Sequence, residues 1–169
     1  MYKLNLLIFC VLLVSCSSKQ IPQLTAEESL WVYHIQPDAA VDDPSFKLCD
    51  PKTAYPYYGI GAGYTGDKRE LMDYFLSRFK NIDSTVSQTG FITIRFMINC
   101  QGLTGRFRLI EFDETYKPYS FDPRISKQLI KLTSELKGWT PGKHDAQNYD
   151  SYYYLCFKIR NGTLIDITP

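Results

Sequence analysis

The chain reads as an α+β domain, an antiparallel three-stranded sheet with two helices on one face behind an irregular N-terminal arm, and three stretches predict it. Ile92, Ile94, Phe96 and Ile98 alternate with Thr93, Arg95, Met97 and Asn99, the period-two pattern of a half-buried strand. Leu71, Phe75 and Phe79 form one helical stripe, and Ile125, Leu129, Leu132 and Leu136 form another. The order helix, strand, strand, helix, strand is that of a small sheet layer with helices packed against it.

The first 15 residues stand apart from this domain. Lys3 is a positive start, an apolar run follows to Val14, and small Ser15 precedes Cys16, the pattern of an export leader that ends at a cysteine. The apolar run is about half of the ~20 residues a membrane-spanning helix needs. Leu13, Val14, Ser15 and Cys16 resemble a bacterial lipobox. That resemblance implies cleavage before Cys16, lipidation of Cys16 and a membrane anchor through its acyl chains. Ser17 and Ser18 lack the Asp that retains many such proteins at the inner membrane, which implies the outer membrane, facing the periplasm.

Residues 16–24 read as a short polar tether. Residues 25–66 are rich in Pro, Asp, Tyr and Gly and read as an irregular arm wrapping the domain. Thr25 and Glu28 have capping-box spacing, while Trp31 to Ile35 carries strand-type residues, so that segment stays open between helix and strand. The domain proper is expected over 67–169. Asp67 caps the first helix with Glu70 reciprocal to it, and the helix should end near Lys80. Gly90 opens the first strand, Gln101 and Gly102 turn it, and residues 103–112 make an antiparallel partner. Asp122 before Pro123 starts the second helix, which Gly138 stops. Trp139 to Gly142 is a turn with a large apolar anchor. Residues 152–159 form the third strand, closed by Asn161-Gly162, and residues 164–167 suit a short return strand.

Nineteen Lys and Arg face eighteen Asp and Glu, and Lys3 would leave with the leader, so the rest is balanced. Phosphate recognition needs a basic surplus, which argues against a nucleic-acid partner. Gly61, Gly63 and Gly66 spell G-x-G-x-x-G, yet no strand precedes them and no βαβ unit follows, so they read as a flexible loop into the Asp67 cap rather than a nucleotide cradle. His34 and His144 have no second ligand at metal spacing. No nucleophile signature surrounds Cys100 or Cys156. Neither an enzyme nor a cofactor or metal is expected.

Strand parity sorts the thiols. Cys100 is in phase with the helix-facing Ile92 to Ile98 series, whereas Cys156 is out of phase with Leu155, Phe157 and Ile159. A disulfide between Cys49 and Cys100 is therefore expected, three free thiols being the alternative. The same parity places Arg95, Arg106, Arg108, Tyr152, Tyr154, Cys156 and Lys158 on the sheet face away from the helices. Arginine and tyrosine dominate binding hot spots. Equally, the arm could cover that face and pair its arginines with acids.

From the helix at 71–79 through the strand at 90–98, the turn at 99–102, the strand at 107–110, the helix at 125–136, the Trp139-to-Gly142 turn and the strand at 153–159, the order and spacing resemble the C-terminal domain of TonB and its relatives. The resemblance covers roughly the last hundred residues and implies a fold and a mode of binding, in which an extended peptide of an envelope protein adds to a free sheet edge. TonB proper carries an N-terminal transmembrane helix and a long Pro-rich spacer, both missing here, so no motor coupling is implied. The family's usual Tyr-Pro before the first strand is replaced by residues 81–88. The expected function is a protein-binding or scaffolding lipoprotein, through Arg95, Arg106, Arg108, Tyr152, Tyr154 and Lys158. The alternative is carbohydrate or peptidoglycan recognition, with Tyr55, Tyr57, Tyr58 and Tyr64 stacking on sugar faces. Oligomeric state is left open.

Overall fold

The computed structural model describes residues 35–82 and 88–169. The expected leader and tether, Cys16, Thr25, Trp31 and His34 lie outside the described residues. In chain order the elements are β1 (Tyr55–Pro56), α1 (Tyr57–Ile60), β2 (Gly63–Tyr64), α2 (Lys68–Arg78), β3 (Gly90–Ile98), β4 (Thr104–Asp113), α3 (Pro123–Glu135), β5 (Trp139–Thr140), β6 (Gly142–His144), β7 (Gln147–Tyr149), β8 (Ser151–Arg160) and β9 (Thr163–Thr168).

The architecture is mixed α+β. Its main sheet has five strands rather than the expected three. Antiparallel β4, β3 and β8 form the broad part. The outer edge of β8 then takes two further strands, parallel β1 at Ser151 and Tyr152 and antiparallel β9 from Cys156 to Arg160. One extra strand comes from the arm, which is thus not wholly irregular, and the other is the return strand. Asn161 and Gly162, at φ 50° and 73°, make the tight turn between β8 and β9, a left-handed pair that Asn-Gly adopts at little cost.

Both long helices start as their caps dictate. Asp67 accepts the Glu70 amide at 2.8 Å, and Asp122 accepts the Arg124 amide at 2.8 Å with Pro123 in the first turn. Helix α2 ends at Arg78, two residues short of the expected Lys80, and α3 ends at Glu135, ahead of Gly138. At that second end Leu136 turns extended and buries its side chain, and its carbonyl accepts the Trp139 indole N–H at 3.1 Å.

The helices share one core with the sheet. Leu71 and Phe75 from α2, and Ile125, Leu129 and Leu132 from α3, pack with Ile92, Ile94, Phe96 and Ile98 of β3 and Leu155, Phe157 and Ile159 of β8. Phe75 meets Phe157 edge to face at 4.9 Å. Trp139 joins the cluster through Phe96, Tyr153 and Tyr64 at 4.9, 5.1 and 5.6 Å. Instead of a simple turn, the segment after α3 builds β5, which pairs with β2, and a small β6–β7 hairpin.

Residues 35–51 cross the other face of the sheet. Phe46 lies over Gly105, where a Cβ would stand 2.3 Å from its ring and push the ring aside. The Asn99 amide donates to the Lys47 carbonyl at 2.9 Å, and Cys49 is joined to Cys100. Buried Asp150 accepts the Asp50 amide on one oxygen and the Cys100 amide on the other, each at 2.8 Å. The arm is thereby stapled to the sheet at the hairpin end. The expected Cys49–Cys100 pair forms, but Cys100 does not take the helix-facing position that strand parity gave it: it sits in the turn after β3, where alternation has stopped.

Candidate functional site

The face expected to be open divides in two. At the β4 side the arm covers it. Register slips between Arg95 and Met97, and Arg106, at φ 56°, is the extra residue of the bulge. The bulge keeps both Arg106 and Arg108 turned toward the arm, while Phe107 stacks on Phe96 at 5.4 Å on the helix side. Arg108 pairs with Asp42 at 2.6 Å and donates to the Gln36 carbonyl at 2.6 Å, and Arg106 donates to the Ile35 carbonyl at 3.4 Å. The Arg108 hydrogen bond holds the Asp42 carboxyl below its usual range, and Asp42 in return raises Arg108. These two arginines hold the arm, the alternative that the sequence left open for this face.

At the β8 side the face is open, and it deepens into a pocket of about 190 Å³ lined by Pro56, Tyr57, Tyr58, Arg95 and Tyr152 to Tyr154. The sequence supplies it from three places. Residues 56–58 leave β1 and turn into the single-turn α1, while Pro56 ends the β1 pairing with β8. The tyrosines of β8 stand beside them, and Arg95 projects from β3 opposite Tyr154. Tyr57 packs on Tyr153 at 4.6 Å, on Tyr154 at 5.8 Å and on Tyr58 at 5.4 Å. The Tyr152 hydroxyl donates to the Ala54 carbonyl. Tyr58 is 67% exposed and Tyr154 37%, so two ring faces remain available, whereas Tyr153 is buried in the core.

Electrostatics separate Arg95 from the other arginines of the sheet. It is half-buried, and among the described residues it has neither a carboxylate nor a hydrogen-bond acceptor. Burial lowers its pKa. Burial also raises the phenols of Tyr57 and Tyr152 and pushes Tyr153 up to about 12, so these hydroxyls stay protonated donors at neutral pH.

The remaining expected site residues lie elsewhere. Lys158 is exposed on β8, paired with Asp166 of β9 beyond the pocket. Tyr55 packs on Tyr149 at 5.2 Å and Tyr64 on Trp139, so neither enters the pocket. His144 sits on the exposed β6–β7 hairpin beside Asp145 at 3.5 Å. Side-chain atoms of Cys49, Cys100 and Asp150 lie within 4.8 Å of one another, but both sulfurs are bonded together and Asp150 already accepts backbone amides.

Sheet edges bear on peptide addition. Among the described residues, Tyr153 to Leu155 on the outer edge of β8, between the β1 and β9 pairings, and Thr104 to Ile110 on the outer edge of β4 lack a strand partner. At β4 the 117–119 segment folds back, with Asp113 donating to the Lys117 carbonyl at 2.9 Å and Tyr119 to the Glu111 carbonyl at 3.1 Å. What the site offers is a ringed, singly cationic pocket. No family model, curated protein or solved structure matches this chain.

Proposed function

We propose that the chain is a non-enzymatic binding or scaffolding module of the bacterial cell envelope, anchored through lipidated Cys16, and that its recognition surface is the tyrosine pocket at Arg95. The observation that carries the binding role is Arg95, a half-buried guanidinium without an anion among the described residues, walled by tyrosines drawn from two distant segments. A guanidinium takes such a position at a desolvation cost that an incoming anion offsets. The leader pattern ending at Cys16 supports the anchor and the outer-membrane, periplasm-facing location. The order of helices and strands over the last hundred residues supports a TonB-C-terminal-like domain without motor coupling.

Strand addition is the second reading: among the described residues the outer side of β4 from Thr104 to Ile110 has no strand partner. Co-purification of the native lipoprotein from membranes tests the reading. A Tyr58→Ala/Tyr154→Ala variant should melt within a few degrees of wild type and lose its envelope partner, while Lys158→Ala keeps it. Partner binding that survives the double variant counts against the pocket. Cys16→Ser should abolish labelling by a fatty-acid analogue, and normal labelling would rule out the lipid anchor.

A further inference from the structure

Arg95 and Arg108 stand directly opposite each other on β3 and β4. Like charges at a cross-strand pair repel, and each needs a counter-ion. Arg108 has Asp42, whereas the neighbour of Arg95 on β8 is Tyr154. The charge left over is therefore one guanidinium, and it borders the tyrosine pocket.

Three properties of the pocket narrow the ligand. Its lining holds a single cation, which matches a monoanion; a phosphate dianion asks for more donors. A guanidinium fork suits a carboxylate bidentately. The volume of about 190 Å³ falls below the ~300–1,000 Å³ of pockets for drug-sized ligands, so it takes one ring-sized group. The walls are phenol rings, apolar on their faces and hydrogen-bonding at their tips, which suits a body that is apolar on one side and hydroxylated around its rim.

We propose that this pocket binds a carboxylate-bearing sugar, its carboxylate on Arg95 and its ring against the exposed faces of Tyr58 and Tyr154. The inference rests on reading the pocket as the recognition site, and it joins two sets of residues that the sequence offered separately: the arm tyrosines for sugars and the sheet residues for partners.

The experiment is titration of the full chain in detergent, followed by NMR, with glucuronate and glucose as a pair that differs in the carboxylate. Glucuronate should bind about tenfold or more tighter than glucose, and Arg95→Met should erase that difference. Arg95→Lys, which keeps the charge and loses the fork, should retain part of it, and thermal melts check that each variant folds. Equal binding of the two sugars, binding of neither, a preference that survives Arg95→Met, or glucose 6-phosphate binding as tightly as glucuronate would each overturn the proposal. If sugars fail while partner capture still depends on Tyr58 and Tyr154, the ligand assignment falls and the binding-module reading stands.

Discussion

Glu111 places a carboxylate where the core begins. It projects from β4 on the helix side, with Phe121 and Ser126 as its hydrogen-bonding neighbours, and one of its oxygens is buried without a partner among the described residues. Burial pushes its pKa up, the backbone hydrogen bond from Phe121 and the Ser126 hydroxyl opposing it. A carboxyl raised on folding holds its proton more tightly in the native state, so stability falls as pH climbs from the unfolded value through the folded one. Glu111→Gln removes that dependence. The melting temperature of the variant, minus that of wild type, should therefore be larger at pH 7 than at pH 4. A difference that is flat or shrinks with pH would show that the carboxylate is well solvated. Asp42 runs the other way: its hydrogen bond with Arg108 stabilises above the unfolded carboxyl pKa and is lost as pH falls through the lowered folded value.

Among the elements, the arm was the hardest to read. Its composition gave turns but no period, because its segments pair two residues at a time, β1 with β8 and β2 with β5, too briefly for alternation to register. The β6–β7 hairpin was equally hidden. Its tip residues, Asp145 and Ala146, adopt φ of 47° and 63°, a left-handed pair that Asn-Gly or Asp-Gly usually announces. Where glycine was present, at Asn161-Gly162, the return strand was legible. Parity along β8 set Cys156 apart from the disulfide, since a strand with one buried face has a fixed phase, whereas Cys100 lies in the turn beyond β3, where that phase no longer applies. That bond closes a loop spanning a sequence separation of 51 residues. In the chain-entropy model such a crosslink stabilises by about 4 kcal/mol. Replacing Cys49 and Cys100 together by Ser should lower the unfolding free energy by about that amount in urea titration and raise amide exchange across residues 35–51. Unchanged exchange there would mean that Asp150 and Arg108 hold the arm without the bond.

For the molecule as a whole, Trp139 is the point where the layers meet. It touches Phe96 of β3, Tyr153 of β8 and Tyr64 of β2, and Tyr153 in turn backs Tyr57 in the pocket. Trp139→Ala should cost about 3–5 kcal/mol, as large aromatic truncations in cores do, and weaken binding through the displaced Tyr153. A variant melting within a degree or two of wild type would show that neighbouring rings fill the gap. The core was legible because burial on one face is written in the alternation of β3 and in the stripes of α2 and α3. The pocket was legible only in pieces. Tyr58 and Tyr154 lie far apart in sequence, and the parity that placed Arg95, Arg106 and Arg108 together could not say that the arm would take two of them and leave one.

The borders of the sheet carry a consequence of their own. A naked border strand is a template on which a second copy can grow. Here β1 and β9 flank one border, the 117–119 segment lies along part of the other, and the free stretch of β8 lies between the two flanking strands. Among the described residues the side of β4 from Thr104 to Ile110 and the outer side of β9 have no strand partner, so growth by a second copy would start at those two borders and leave the ringed pocket open to a small ligand.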